Sequence, residues 1–423
     1  MTTGLRSTLA ETPCNLPEIV HHGFNDNNYH TVRSSAEYTS RRDRTREAPM
    51  NDWHIATRCL QEGWKPGNGE PRILPIYQST TYKYDSTEEV ARLFDLTAEG
   101  HMYSRISNPT VACVEDKIAN LEGGVGALCT SSGQAAALIT FLNLAQAGDH
   151  IVSSATIYGG TWNLLDVTLR RLGIETTFVD QDAPADEIAA AIRPNTKALF
   201  GETLANPKLS VLDFDKFSKI ARAHRIPLVV DNTFATPILC RPFEHGADIV
   251  MHSASKYMDG HAACISGVIV DGGSFDWTSG RFPLFTNPDP SYHGLVYTEA
   301  FGNKAFITKA RVQFMRDLGA TMTAQSAFLL NLGLETLHLR VERHSFNALA
   351  VARHLAAHPA VLSVNYPGLE GTPWHNLATK YLPGGTSGVV SFLVRGGRDA
   401  AARFMNRLKL ASIVVHVADA RTS

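Results

Sequence analysis

The stretch TKALFGETLANPKLSVLDFDKFSKIARAHRIPLVVD, residues 196–231, contains a complete strand–helix–strand unit. Its two ends, TKALFGET and IPLVVD, are short and mostly apolar runs, which predict buried strands. Between them, DFDKFSKIARAHR carries acidic residues in its first turn, as helices prefer, and predicts a helix. A strand, a helix and a second strand in this order are typical of parallel strands joined by a crossover helix.

The same alternation of strand and helix extends over most of the chain from about residue 125. GADIVMHSAS and CISGVIVDG supply two further strands, and none of these apolar runs alternates with polar residues. This pattern indicates an α/β fold with a mostly parallel sheet that is covered by helices on both faces. Residues 304–337 predict one extended helix. The alternation that follows, ending in the predicted strand ASIVVH at residues 411–416, indicates a smaller C-terminal α/β domain.

Composition narrows the class of protein. The chain has 423 residues, 44% of them hydrophobic and 19% charged, and a net charge of −2, which together indicate a well-packed soluble protein of about two domains. The charge gives no indication of a nucleic-acid or membrane partner. The six cysteines are scattered without a C-x-x-C pair. We therefore expect no metal site and no disulfide framework, and a cytoplasmic location.

Residues 1–49 differ in composition from the rest, with many Ser, Thr, Asn and Arg residues and the charged run SRRDRTRE. Little apolar periodicity is present, so we expect a flexible N-terminal extension. A solvated charge run is a simpler interpretation of these arginines than an RNA-binding arm. The first segment that predicts ordered structure begins near Met50.

In open parallel sheets, ligands bind beyond the carboxyl ends of the strands. Ser132, Gly133 and Gln134 lie at such a position, before a run of alanines that predicts a helix. Small residues at a helix start leave backbone N–H groups available to a phosphate, although a simple capping turn is the commoner meaning of Ser-Gly. No Gly-Lys-Ser/Thr follows, so this segment is not a P-loop.

Three further residues lie at strand ends or beside glycines. Asp231 ends the apolar strand IPLVVD, where a carboxylate either caps the following turn or pairs with a buried cation. Tyr158 precedes two glycines and is either a packing residue of the loop or a platform for a flat ligand. Asn206 follows another strand and has a turn role available before Pro207.

Lys256 follows the strand IVMH within the segment SASKY. Ser253 and Lys256 satisfy the S-x-x-K pattern of serine acyl-enzymes, but the companion motifs S-D-N and K-T-G are absent. A Schiff-base aldolase would use the lysine but not a phosphate cradle. A surface position is the ordinary interpretation of a lone lysine.

Taken together, these residues match what one cofactor needs. A phosphate would bind at Ser132, Gly133 and Gln134, helped by the hydroxyl groups of Ser253 and Ser255. Tyr158 would lie against an aromatic ring, Asp231 would meet a protonated ring nitrogen, and Lys256 would condense with an aldehyde. These requirements describe pyridoxal 5'-phosphate, whose ring withdraws electrons only while its nitrogen stays protonated.

With these residues assembled, the chain resembles the Cys/Met-metabolism family of pyridoxal-phosphate enzymes. The motifs that carry the resemblance begin at Tyr103 and end at His261, and they are YSRISNPT, SSGQAA, YGGT, ETLANP, VVDNTFATP and HSASKYMDGH. The resemblance implies a fold-type I, aminotransferase-like architecture with a seven-stranded type of sheet in its large domain. It also implies a dimer or tetramer with shared active sites.

The resemblance also implies roles for individual residues. Lys256 would be the Schiff-base lysine, Asp231 the partner of the pyridinium, Tyr158 the stacking tyrosine and Asn206 the ligand of the ring oxygen. Gly133, Gln134, Ser253 and Ser255 would contact the phosphate, with Ser132 beside them. Tyr103 and Arg105 would reach the phosphate of the neighbouring subunit.

Three segments are similar to the O-acetylhomoserine sulfhydrylase branch: residues 53–86, the insertion at residues 272–302, and the final VVHVADARTS, in which His416 stands where lyases tend to carry serine. The resemblance therefore implies γ-replacement on O-acetylhomoserine by sulfide or a small thiol. Methionine γ-lyase and cystathionine γ-synthase activities would use the same residues. A cofactor-binding scaffold without activity is the more distant alternative.

The expected organisation has four parts: the extension at residues 1–49, an N-terminal arm at 50–110, a cofactor-binding large domain at 111–310 and a small domain at 311–423. Family members continue for some tens of residues beyond the position of Ser423. The resemblance thus implies that the small domain is shortened here and that the arginine for the substrate carboxylate is outside this chain.

Overall fold

A seven-stranded sheet forms the centre of the computed structural model, which describes residues 53–423. The predicted flexible extension at residues 1–49 lies outside the described residues. Within them the strands are β1 (Gly126–Thr130), β2 (His150–Ser154), β3 (Glu175–Val179), β4 (Thr196–Glu202), β5 (Leu228–Asp231), β6 (Ile249–His252), β7 (Gly267–Asp271), β8 (Val361–Asn365) and β9 (Ser391–Val394).

The α-helices of the described residues are α1 (Ile55–Gln61), α2 (Thr87–Phe94), α3 (Pro109–Glu122), α4 (Gly133–Leu144), α5 (Gly159–Asn163), α6 (Ala185–Ala190), α7 (Phe214–Ala223), α8 (Thr236–Leu239), α9 (Pro283–Thr286), α10 (Tyr297–Phe301), α11 (Ala305–Lys309), α12 (Arg316–Leu318), α13 (Ala324–Glu335), α14 (Leu337–Ala356), α15 (His375–Tyr381) and α16 (Gly397–Met405). Two π-helical turns, Leu164–Leu169 and Ala310–Met315, continue α5 and α11.

The strand order in the large sheet is β1-β7-β6-β5-β4-β2-β3. Strands β2 to β6 pair in parallel, whereas β7 pairs antiparallel with both β1 and β6. Because β7 alone reverses direction, the other six strands end at the same edge of the sheet. The predicted mostly parallel α/β fold is therefore confirmed, and the strand ends with the candidate site residues meet at one edge.

Both faces of the sheet are buried, as the unalternated apolar runs predict. Along β5, Leu228 and Val230 pack into one hydrophobic cluster and Val229 into the other, because successive side chains of a strand point to opposite faces. The first cluster includes Phe217 of α7, and the second includes Phe141 of α4. Helices therefore pack against both faces of the sheet.

Residues 304–337 do not form the single helix that the sequence predicts. The helical segment that begins with α11 ends at Gly319, whose φ of 67° lies in the left-handed region that glycine tolerates. Ala320 then accepts a hydrogen bond from the backbone N–H of Ser131 at 2.8 Å, and Thr321 forms a β-bridge with Thr130. Pairing with the end of β1 therefore breaks the helix, which resumes at α13.

The small sheet contains β8 and β9 in antiparallel pairing, and α14 packs against β8. The predicted strand at residues 411–416 is wrong, since these residues form no strand in the described chain. Ile413 and Val415 are exposed there. The apolar character of residues 411–416 predicts a buried strand. Among the described residues, however, β9 pairs only with β8, so the run has no strand partner in the small sheet. Between residues 53 and 423, no helix is both long and apolar enough to cross a lipid bilayer.

We expect Phe200→Ala to lower the free energy of unfolding by about 3–5 kcal/mol, since it would leave a cavity in the centre of the sheet. Phe200 is fully buried and its ring meets Phe141 edge-on, with centroids 5.4 Å apart. Urea unfolding followed by circular dichroism measures the change. Phe346→Ala is the control, because Phe346 is 67% exposed and its loss should cost less than about 0.5 kcal/mol. Equal losses in the two variants would contradict this account of the core.

Candidate active site

The N-terminus of α4 lies at the edge of the sheet where the parallel strands end. Ser132 caps the helix, and its hydroxyl oxygen accepts a hydrogen bond from the N–H of Ala135 at 3.1 Å. The first N–H groups of a helix have no acceptor within it, so those of Gly133 and Gln134 are available to an anion. The positive end of the helix dipole favours a phosphate at this position.

Gly133 allows a close approach between α4 and the loop that follows β6. A Cβ atom built on Gly133 would lie 2.6 Å from the Cβ of Ser253, which is closer than carbon atoms approach in proteins. Ser253 in turn donates its backbone N–H to the hydroxyl of Thr233 at 2.8 Å. The structure therefore brings together the helix start and one of the two serines that the sequence predicts as phosphate contacts.

Gln134 and Tyr158 lie next to each other across Gly160, whose built Cβ would clash with both side chains. The side-chain oxygen of Gln134 is buried without a hydrogen-bond partner in the described structure. Buried polar atoms of this kind are uncommon and indicate a missing partner. Tyr158 is 49% exposed, so its ring remains available as a platform beside the helix start.

Asp231 is the last residue of β5, and one of its carboxylate oxygens already accepts hydrogen bonds from within the protein. Its Oδ1 accepts hydrogen bonds from the N–H of Thr233 at 2.9 Å and from the hydroxyl of Thr233 at 2.5 Å. The other oxygen can therefore accept from a cationic N–H. Burial raises the pKa of Asp231, while the Thr233 hydrogen bonds act in the opposite direction. A cation placed against the carboxylate would keep it ionised.

Glu202, which the sequence interpretation missed, lies opposite Asp231 in the pairing of β4 with β5. Its two oxygens accept the backbone N–H groups of Tyr158 at 2.7 Å and Asn206 at 3.1 Å. Burial, and next the charge of Asp231, raise the pKa of Glu202 well above its usual range. Glu202 thus fixes the backbone of two predicted site residues. The strand-end rule that selects Asp231 could also have selected this carboxylate.

Lys256 follows β6, and its amine lies 3.3 Å from Nδ1 of His416. Burial lowers the pKa of Lys256, which favours the neutral amine needed for attack on an aldehyde. Ser255, beside it, donates its hydroxyl proton to the carbonyl of Ser266 at 3.0 Å. Because that proton is used within the protein, the predicted phosphate contact of Ser255 stays a prediction.

Tyr103 and Arg105 contact a different part of the chain. Tyr103 forms a β-bridge with Thr81, and its side chain is exposed. The guanidinium of Arg105 lies against the Tyr103 ring and donates a hydrogen bond to the carbonyl of Arg316. Their predicted role at the phosphate of a neighbouring subunit stays a prediction.

The groups at the strand ends match a flat ligand with three different recognition points. Its phosphate would meet the N–H groups at the α4 N-terminus, its cationic ring nitrogen would meet Asp231, and its aldehyde would meet Lys256. Pyridoxal phosphate has these three features. The fold and the residues present thus agree in placing the chain among the fold-type I enzymes that depend on this cofactor.

Comparisons with known proteins narrow the class to one family. The model of the Cys/Met metabolism PLP-dependent enzymes matches residues 56–422. The chain is 48% identical over 378 residues to the homocysteine synthase of Schizosaccharomyces pombe, with 88% of each chain covered. It is 47% identical to the O-acetyl-L-homoserine sulfhydrylase of Leptospira meyeri, with 89% of this chain and 87% of the other covered.

A solved structure supports the same assignment. The crystal structure of a putative O-acetylhomoserine (thiol)-lyase from Campylobacter jejuni, which contains a pyridoxyl-lysine phosphate, matches with a TM-score of 0.85 at 37% identity. The match covers 88% of this chain and 91% of that one. The chain therefore belongs to the Cys/Met metabolism family of pyridoxal-phosphate-dependent enzymes.

We expect Gly133→Ala to weaken cofactor binding, because the added methyl group would push the α4 N-terminus away from Ser253. Equilibrium dialysis against pyridoxal phosphate should show a loss of at least about tenfold in affinity, which corresponds to one misplaced charge-assisted hydrogen bond. Gly67→Ala is the matched control, since its built Cβ has no neighbour closer than 3.5 Å. Unchanged affinity in Gly133→Ala would show that the phosphate binds elsewhere.

Proposed function

We propose that the protein catalyses γ-replacement on O-acetylhomoserine. Sulfide or a small thiol takes the place of the acetate group, giving homocysteine or methionine together with acetate. The observation that carries the proposal is the half-buried amine of Lys256, which follows Ser253 in a loop that packs against Gly133 of α4 and hydrogen-bonds to Thr233 beside Asp231. The chain also covers most of two relatives named for this chemistry. The insertion at residues 272–302 and the final segment with His416 are similar to the O-acetylhomoserine sulfhydrylase branch, and they support the same proposal.

Pyridoxal phosphate, when bound, supplies an electron sink for the bond electrons of the substrate carbon next to the amino group. Asp231 would hold the ring nitrogen in its protonated form with the carboxylate oxygen that Thr233 leaves free. Tyr158 and Asn206 would orient the ring, and Glu202 holds the backbone N–H groups of both residues. Lys256 is the base that removes protons from the substrate, since burial favours its neutral amine.

Product analysis separates this proposal from its nearest alternatives. The holoenzyme is incubated with O-acetylhomoserine, with and without sulfide, and the products are identified by mass spectrometry. Homocysteine formed only with sulfide supports replacement. Formation of 2-oxobutyrate and ammonia in both reactions would indicate a γ-lyase, and cystathionine formed with cysteine would indicate cystathionine γ-synthase. If none of these products forms, the remaining interpretation is a cofactor-binding scaffold without activity.

Borohydride reduction locates the cofactor on the chain. We expect the yellow holoenzyme to be bleached and the reduced cofactor to be recovered on the peptide that contains Lys256. The motivation is that burial lowers the pKa of this amine, and that Lys256 belongs to the loop whose Ser253 packs against Gly133 at the start of α4. Lys309, which is more deeply buried, is the internal comparison. Recovery of the adduct on any lysine other than Lys256 would contradict the site.

Asp231→Asn should lower kcat by at least about a hundredfold while the protein retains most of its cofactor, since loss of ring protonation removes a group that acts in the transition state. The amide oxygen can still accept the Thr233 hydrogen bonds, so the loop should keep its conformation. Steady-state kinetics and the cofactor content of the purified variant measure the two effects. Equal losses of both would show that Asp231 is structural.

We also propose a cytosolic homodimer or homotetramer with active sites shared between subunits. Several large apolar side chains near the start of the described chain are exposed, among them Trp53, Leu60 and Ile73. Tyr103 and Arg105 are exposed as well. Such exposure suits a partner surface. A tetramer would bury more of it than a dimer, and light scattering distinguishes the two.

Mixing two inactive variants tests the shared site. If Arg105 serves the neighbouring subunit, refolding Arg105→Ala together with Lys256→Ala should restore roughly a quarter of the wild-type activity, because each mixed dimer contains one intact site. Lys83→Ala mixed with Lys256→Ala is the control for dilution, since Lys83 is an exposed lysine. Absence of complementation would place Arg105 at its own subunit's site or at none.

The division into an arm at residues 50–110, a large domain at 111–310 and a small domain at 311–423 belongs to the same proposal. Its support is the placement of β1–β7 in the second range and of β8 and β9 in the third.

A further inference from the structure

Arg340 of α14 joins the turn that contains Lys256 to the end of α13. Its Nη1 donates a hydrogen bond to the carbonyl of Tyr257 at 2.7 Å, although 83 positions separate the two residues in the sequence. Its Nη2 donates to the carbonyl of Gly333 at 2.6 Å. Tyr257 directly follows Lys256, and Gly333 lies in the last turn of α13. One planar cation therefore holds the backbone next to Lys256 against two helices.

The turn that follows β6 packs closely against α13 and α14, and two glycines allow this approach. A Cβ atom built on Gly333 would clash with the carbonyl oxygens of Met258 and Asp259. A Cβ atom built on Gly260 would clash with Nη1 of Arg340. The φ of Gly260 is 68°, in the left-handed region that glycine tolerates. The guanidinium thus occupies the space that a side chain at position 260 would need.

Further hydrogen bonds connect this packing to Lys256. The carbonyl of Lys256 accepts the N–H of Gly260 at 2.7 Å, which closes the turn around the contact with Arg340. The buried hydroxyl of Tyr257 accepts the N–H of Gly388 at 2.8 Å. The residue after Lys256 is therefore fixed at its backbone and at its side chain, and both partners come from segments far along the chain.

The proposed reaction requires an accurately placed amine. Under the proposed function, Lys256 binds the cofactor and then removes protons from the substrate. Lysine carries its amine on a flexible four-carbon stem, so the reach of the amine depends on where the backbone holds its Cα atom. A misplacement of about 1 Å between reacting groups can lower a rate by about a hundredfold. A shifted turn would also admit water to the amine, and burial is what lowers the pKa of Lys256.

We propose that Arg340 is a positioning residue for Lys256. By holding the carbonyl of Tyr257 against the end of α13, its guanidinium keeps the amine at the strand ends and shielded from water. A guanidinium suits this role because its rigid fork donates in two directions at once, whereas an ammonium group is a single point of charge. The inference rests on the assignment of Lys256 as the cofactor lysine of the proposed function.

Capping of α13 is the other role open to Arg340, since the last carbonyl groups of a helix have no donor within it. The carbonyl of Gly333 also accepts the N–H of Thr336 at 3.3 Å, so this helix end has a second donor. Burial lowers the pKa of Arg340, whereas the charge of the buried Asp259 carboxylate raises it. Asp259 belongs to the same turn as Tyr257. Charge and hydrogen bonding therefore both direct Arg340 to that turn.

Amine labelling of the apoenzyme tests the inference without substrate or cofactor. Reductive methylation with formaldehyde over a range of pH, followed by peptide mass spectrometry, gives the pH midpoint at which each lysine becomes reactive. In Arg340→Ala we expect the midpoint of Lys256 to move to higher pH, because a released turn lets water stabilise the charged amine. Lys83, which is exposed, is the internal reference and should label alike in every variant. A residue that only caps α13 would lower the melting temperature without moving the Lys256 midpoint.

Steady-state kinetics of the holoenzyme with O-acetylhomoserine and sulfide give a second measurement. In Arg340→Ala, kcat should fall by at least about tenfold, while KM should change by less than about threefold, because the amine acts after the substrate has bound. Arg340→Lys should lie between this variant and the wild type, since an ammonium group replaces one of the two hydrogen bonds. Arg343→Ala is the matched control: Arg343 is on the same helix but exposed, against the ring of Phe346. It should keep the wild-type kcat and Lys256 midpoint.

Chemical rescue separates a lost guanidinium from a general loss of structure. Guanidinium ion, at concentrations too low to unfold the protein, should restore kcat in Arg340→Ala, because it fits between the carbonyl groups of Tyr257 and Gly333. It should not accelerate the wild type or Arg343→Ala. Circular dichroism and melting temperature show which variants are folded. If Arg340→Ala does not fold, the Lys256 midpoint of Arg340→Lys decides: a move to higher pH supports the inference, and an unchanged midpoint overturns it.

The outcomes separate the inference from the proposed function. If folded Arg340→Ala keeps the wild-type Lys256 midpoint and the wild-type kcat, the positioning role is wrong and γ-replacement stands. If the midpoint moves but the wild type forms no homocysteine from O-acetylhomoserine and sulfide, the positioning role stands and the proposed reaction is wrong. Recovery of the reduced cofactor on a lysine other than Lys256 would contradict both.

Discussion

The buried carboxylate of Glu122 joins the two strand ends on which the site is built. It is fully buried at the end of α3, where Oε1 lies 2.6 Å from Nε2 of His252 and accepts a hydrogen bond from the side chain of Asn232 at 3.0 Å. Asn232 directly follows Asp231, and His252 directly precedes Ser253. Removing one partner of a buried hydrogen bond leaves the other partner unsatisfied and costs about 1–3 kcal/mol. The positions of β5 and β6 relative to each other therefore depend on this contact.

The contacts of Glu122 and the candidate site residue Asp231 lie on opposite sides of the same strand ends. Successive side chains of an extended segment point to opposite sides, so Asn232 turns toward Glu122 while Asp231 turns toward the other face. The carboxylate of Asp231 is then oriented by Thr233, whose hydroxyl also accepts the N–H of Ser253. Structural polar groups and reactive polar groups thus alternate along a short length of chain, and neither set competes for the other's hydrogen bonds.

The sequence predicts local features of the fold better than its long-range pairings. Each apolar run from residue 126 to 271 that predicts a strand forms one, because burial on both faces is visible in composition alone. The antiparallel direction of β7 is not visible in this way. The helix over residues 304–337 breaks at Gly319 because Thr321 bridges to Thr130, and the run at 411–416 finds no partner strand among the described residues. Both errors come from contacts between distant segments, which periodicity does not report.

In the candidate site, too, the sequence predicts single residues better than the contacts between distant segments. Its two carboxylates, Asp231 and Glu202, show the reason. A strand-end rule selects Asp231 but cannot tell that Glu202, opposite it in the neighbouring strand, is held by the N–H groups of Tyr158 and Asn206. Two buried carboxylates this close repel each other, so one ionises far more easily than the other. Burial and the charge of Asp231 raise the pKa of Glu202 well above its usual range. Burial and the charge of Asp231 therefore disfavour the ionised form of Glu202, whereas a cationic ring nitrogen placed against Asp231 would favour the ionised form of Asp231.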